Sequence, residues 1–71
     1  MALSADQERR ARRAASNWAR DSGYWVFGKF DRDDAHQQAR LALLSEPDLS
    51  IRALHNRIID AVRVLVPGYR Q

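Results

Sequence analysis

The chain contains no cysteine, which excludes a disulfide framework and any thiolate metal site. Histidine is scarce. His36 and His55 are too few to close a zinc site without help from carboxylates. Neither stands with a serine or cysteine nucleophile beside an organised base, so the sequence predicts no enzyme, no metal and no cofactor. Lysine is nearly missing, with Lys29 alone against eleven arginines. Arg offers phosphates and carboxylates a planar fork of donors that Lys lacks, although a GC-rich coding bias toward Arg and Ala produces the same imbalance. No apolar run approaches the ~20 residues that span a bilayer. Charges begin at Asp6, too early for a secretory leader. A soluble, cytoplasmic protein is expected.

What remains is a short, Arg- and Ala-rich chain of 71 residues, room for a single domain. A chain of this size hides only about 60% of the surface its unfolded form exposes, so it needs good helix packing or a second subunit. Its charge is unevenly laid out. Residues 1–20 sum to +3, residues 31–50 to −3 and residues 51–71 to +3. Basic ends around an acidic middle suit a polyanionic partner, and equally suit pairing of the segments with one another.

Helical periodicity predicts three helices. The first covers about residues 4–20. Ser4-Ala5-Asp6-Gln7 fits a capping box, in which Ser caps an unpaired amide and Gln reaches back. Leu3, Gln7, Ala11, Ala14 and Trp18 share one face. Arg9, Arg13 and Arg20 fall opposite, with Arg12 and Ser16 beside them. The second helix covers about residues 31–44, with Asp33 and Asp34 in its first turn. Ala35, Ala39, Ala42 and Leu43 share a face with His36, while Leu41 and Leu44 point elsewhere. The third helix covers about residues 49–66. Ile51, Leu54, Ile58, Ala61, Val62 and Leu65 follow the i, i+3, i+4, i+7 spacing closely. Arg52, Asn56 and Arg63 lie opposite, and residues 67–71 are expected to fray. Between the first two helices, residues 22–30 gather Tyr24, Trp25, Phe27 and Phe30 into a short aromatic connector. The expected fold is therefore a small all-α three-helix domain.

Several surfaces are candidates for function. The Arg face of the first helix, with Arg9, Arg10, Arg12, Arg13 and Arg20, can track a nucleic-acid backbone. The competing reading is a solvated helix face with Trp18 in the core. The run ERRARRAASNW resembles the arginine-rich RNA-binding helices of lambdoid phage antitermination proteins. That resemblance implies phosphate contacts from Arg9, Arg10, Arg12 and Arg13 and base stacking by Trp18. The spacing from the last Arg pair to Trp is shorter here, and those proteins are largely disordered alone, whereas residues 31–66 here have a folded pattern.

The second and third helices can also be read as a helix-turn-helix in which Arg52, Asn56 and Arg63 meet a groove. A plain helical hairpin competes. It is favoured by Pro47 in the turn and by Glu46 and Asp48, which a DNA backbone would repel. The apolar surplus, with Leu41, Leu44 and Ile59 beside Tyr24 and Trp25, predicts a partner interface and a homodimer. The leading functional expectation is a small regulatory protein that binds RNA or DNA through its first helix. The alternative is an inhibitor or adaptor, of phage or plasmid type, that docks on an acidic protein through Arg and aromatic residues.

Overall fold

The computed structural model describes residues 2–22 and 30–65. Among them are three α-helices and no strand: α1, Ala5–Ser22; α2, Arg32–Ser45; α3, Ile51–Leu65. The helix starts follow from local hydrogen bonding. Before α1, Gln7 donates its amide to Ser4 Oγ at 3.1 Å, and Ser4 donates its own to Gln7 Oε1 at 2.8 Å. The capping box expected there is present. A second box opens α2, built entirely from aspartates. Asp34 donates its amide to Asp31 Oδ1 at 3.0 Å, and Asp31 returns its amide to Asp34 Oδ2 at 3.1 Å. Ser50 caps α3 by accepting from the Ala53 amide at 3.2 Å. Each cap satisfies amides that have no partner within the helix. Helix α2 stops where Pro47 cannot continue it. The Glu46 amide still closes onto the Ala42 carbonyl, and Leu49 then turns back to Glu46.

The helices α1 and α2 run antiparallel. Glu8, early in α1, lies beside Arg40, late in α2. Trp18, late in α1, meets Phe30 just before α2. Helix α3 then returns against both, so that each helix packs on the other two. The radius of gyration, 11.3 Å, matches the roughly 11 Å of a packed chain this long.

The core divides by residue size. From α1 it takes Ala11, Ala14, Ala15, Ala19 and Trp18, with Phe30 just ahead of α2. From α2 it takes Ala35, Ala39 and Leu43, and from α3 Leu54, Ile58, Ile59 and Val62. Six of these thirteen residues are alanine, all of them in α1 and α2, where Trp18 and Leu43 are the bulky exceptions, whereas α3 contributes only branched aliphatic side chains. A fully buried Leu, Ile or Val contributes about 1.5–3 kcal/mol, and a methyl far less, in proportion to its area. Trp18 is 1% exposed and stands edge-on to Phe30, with ring centroids 5.3 Å apart and planes at 81°. That is a favoured aromatic geometry.

One alternative is decided here and two expectations change. Trp18 is in the core, so the base-stacking role that the phage resemblance implied is not available to it. Ile59, expected at a partner interface, is 7% exposed and packs inside, because contact with two helices widens the buried sector of α3 beyond one stripe. Leu65, expected on the buried stripe, is exposed. The aromatic connector, apart from Phe30, and the tail from Val66 onward lie outside the described residues.

Candidate nucleic-acid interface

The outer face of α1 is set by its buried one. With Ala11, Ala14, Ala15, Trp18 and Ala19 held inside, the helical repeat turns Arg9, Arg12, Arg13 and Arg20 outward, and all four are exposed. Their surroundings differ. Arg9 Nη1 is 3.6 Å from Asp6 Oδ1 one turn away, in a pair that water reaches from both sides. Such pairs contribute only a few tenths of a kcal/mol. Arg20 donates to the Asn17 carboxamide oxygen at 3.0 Å, which orients the guanidinium, and it has no carboxylate within ion-pair distance among the described residues. Arg12 and Arg13 have no carboxylate within ion-pair distance among the described residues.

Arg10 belongs to a different category. Its Nη1 donates to the Leu49 carbonyl at 2.7 Å, and its Nε donates to Asp6 Oδ2 at 3.0 Å. Its side chain is 24% exposed. It ties α1 to the segment ahead of α3, alongside a long contact from Gln7 Nε2 to the Pro47 carbonyl at 3.4 Å.

The remaining cations are mostly taken up by the chain's own acids. Arg40 Nε approaches Glu8 Oε1 at 3.2 Å, and His36 Nε2 lies 3.9 Å from the same oxygen. Neither forms a directed hydrogen bond, so both nitrogens are buried without an acceptor, as is Trp18 Nε1. Arg57 pairs with Glu46 across the turn between α2 and α3. Arg63 Nη1 is 4.0 Å from Asp60 Oδ1. Arg52 and Asn56 are exposed on α3. Among the described residues, no ion pair or side-chain hydrogen bond connects Arg52, Asn56 and Arg63 to the arginines of α1. Glu46 and Asp48 are exposed at the entrance of α3, where a groove-reading helix would meet phosphates.

The structure adds neighbours that periodicity did not single out. Between α1 and the start of α2 is a cleft of about 270 Å³, lined by Arg12, Ala15, Ser16, Arg32, Asp33 and His36. Arg32 is the first residue of α2. It is exposed and, like Arg12, has no carboxylate within ion-pair distance among the described residues. One local signal in the sequence pointed to it: a cation at the positive end of a helix dipole is unfavourably placed.

Of the residues expected at a partner interface, Leu41 and Leu44 are 48% and 41% exposed on α2. Tyr24 and Trp25 lie outside the described residues. No helix among the described residues is long and apolar enough to cross a membrane. No cluster of three His, Cys, Asp or Glu there is arranged to hold a metal. Comparison of the chain with protein-family models, with curated proteins and with solved structures returned no match.

Proposed function

We propose that this protein is a small non-enzymatic regulator that binds nucleic acid through the outer face of α1, with Arg9, Arg12, Arg13 and Arg20 meeting phosphates. The observation that carries this reading is that Arg12 and Arg13 are exposed with no acidic partner among the described residues, although the chain supplies carboxylates to Arg9, Arg10, Arg40, Arg57 and Arg63. Guanidiniums left in water beside one another attract a polyanion and displace its counterions. Arg10 is left out of the contact set because its donors hold the fold together.

The test is a salt titration of binding to labelled RNA and DNA, followed by fluorescence anisotropy. Replacing Arg9 and Arg13 together by Ala is expected to weaken binding. The slope of log K against log salt should fall by about 1.4 on single strands and about 1.8 on duplex. An unchanged slope removes α1 from the contact surface.

A second reading rests on a different observation. Leu41 and Leu44 present apolar surface on one side of α2, as a protein-docking or self-association surface does. On that reading the protein is an adaptor or a homodimer. Loss of partner capture on replacing these leucines, without any RNA or DNA binding by the parent protein, would favour it.

A further inference from the structure

Three contacts fix how the helices are turned, and together they place the arginines of α3. On α1, Glu8 meets Arg40 and His36, so the Glu8 edge faces α2. The Arg10 guanidinium donates to the Leu49 carbonyl, so the Arg10 edge faces α3. On α3, Arg57 pairs with Glu46 at the end of α2, which turns the Arg57 edge towards α2. The opposite edge of the buried sector, with Ile59 on it, is left to α1. Arg52 stands two turns before Ile59 on the same line of the helix, with Asn56 and Arg63 beside that line, so all three lie on the α1 side. The starts of α1 and α3 are adjacent, where Arg10 and Gln7 reach Leu49 and Pro47, so the two helices run parallel. Arg13 and Arg20 therefore form one row, spaced about 10 Å along the axis, and Arg52 and Arg63 a second row beside it, spaced about 16 Å. The hydrogen bond from Arg20 to Asn17, which follows Arg10 by two turns, draws the Arg20 guanidinium towards α3. All four arginines are exposed, and among the described residues only Arg63 has a carboxylate within ion-pair distance, Asp60 at 4.0 Å.

The acids are distributed unequally around these rows. On the α1–α3 side stand Asp6, bonded to Arg9 and Arg10, Asp21 in the last turn of α1, and Asp60. Even with Asp48, in the turn before α3, counted there, six arginines face four carboxylates. Around α2 the balance is reversed: Asp31, Asp33, Asp34 and Glu46 stand against Arg32 and Arg57. Two sides of opposite sign orient a molecule on a polyanion. We propose that the nucleic-acid surface spans two helices: α3 adds Arg52, Asn56 and Arg63 as a second row of phosphate contacts, and the backbone runs along the α1–α3 side with the acidic side of α2 turned away. This rests on the nucleic-acid reading of α1 and extends it. It differs from a groove-reading helix, because α3 lies alongside the phosphates and does not present its first turn to base edges. Glu46 is kept off this side by Arg57.

The experiment uses the full chain and two fluorescent probes, a single-stranded RNA of about twenty nucleotides and a DNA duplex of about the same length. The double variant Arg52→Gln, Arg63→Gln should bind more weakly than the parent. Its salt slope should be lower by about 1.4 on the single strand and about 1.8 on the duplex, the values for two phosphates lost. The double variant Arg32→Gln, Arg57→Gln removes the same two charges from the α2 side and should leave the slope unchanged. In the ¹⁵N-labelled parent, the amides of Arg52, Asn56 and Arg63 should shift on addition of either probe, and those of Gln37, Leu41 and Leu44 should not. All four substituted positions are exposed, so circular dichroism should show the variants as helical as the parent.

If the parent binds and Arg9→Ala with Arg13→Ala lowers the slope, but Arg52→Gln with Arg63→Gln matches the parent, the second row is wrong and the reading of α1 survives. If Arg32→Gln with Arg57→Gln lowers the slope as much as the α3 pair does, only net charge matters and the assignment to one side fails. If the parent protein binds neither probe even at low salt, both readings fall together.

Discussion

Two neighbouring arginines, Arg10 and Arg13, have opposite employment. The guanidinium of Arg10 reaches the carbonyl of Leu49 and the carboxylate of Asp6, whereas Arg13 is exposed without an acidic partner among the described residues. Hydrogen bonds from a charged donor contribute about 1.5–3 kcal/mol when partly shielded. Arg10→Ala is therefore expected to lower unfolding stability by about 1–2 kcal/mol, discounted for the water that reaches the side chain. Arg13→Ala should stay within about 0.5 kcal/mol, as exposed substitutions do. Urea denaturation of the two variants checks this; equal losses would mean that the Leu49 contact contributes nothing. This division of labour was not legible in the sequence. The acceptor for Arg10 is a backbone carbonyl 39 positions away, and no pattern of side chains announces a carbonyl. Trp18 was ambiguous for a related reason: an indole at the end of an Arg-rich helix fits a base stack and a core equally well. Packing against Phe30 decides between them.

The helices themselves were far more legible, because their starts are local. Ser4 with Gln7, Asp31 with Asp34, and Ser50 with the amide three residues on all form the caps that their residue types favour. Asp31→Ala removes both the acceptor for the Asp34 amide and the geometry of the reciprocal bond. It should cost about 1 kcal/mol, read as a lower midpoint in thermal melting of the α-helical signal. Helix α2 also has two sides of unequal weight. Leu43 is fully buried, and Leu41 is half exposed two positions earlier. Leu43→Ala should cost about 2–5 kcal/mol, within the range for buried leucines. Leu41→Ala should cost less than about 0.5 kcal/mol in the monomer. A large loss at Leu41 would show that its surface is covered in solution. What periodicity could not supply was the width of the buried sector. Ile59 packs inside because α3 touches two helices, and a helical wheel drawn for one helix cannot show how many neighbours it has.

For the whole molecule, stability is the governing quantity. A domain of 71 residues holds about 4–10 kcal/mol in total, so losses of the size just given are a large fraction of it. If Leu41 and Leu44 meet a second copy, association adds stability by mass action. The melting temperature should then rise with protein concentration through the micromolar range, and Leu41→Glu with Leu44→Glu should remove that dependence. A melting temperature independent of concentration, with monomer alone in sedimentation, rules out the homodimer. The candidate site is the least legible part of the molecule because it is assembled across helices. Arg9, Arg12, Arg13 and Arg20 follow from one helical repeat, but Arg32 joins them only through the antiparallel fold of α1 and α2. The alanines buried in α1 and α2 have a consequence for recognition. Ala11, Ala14, Ala15 and Ala19 on α1 and Ala35 and Ala39 on α2 are methyl groups where most cores would use branched chains, and Ala15 also floors the cleft. They act as a gauge block: their thickness fixes the gap between the two helices. Ala15→Val adds no charge and removes none, yet it would spread them, so a change invisible to any electrostatic inventory would displace the arginines that α1 carries.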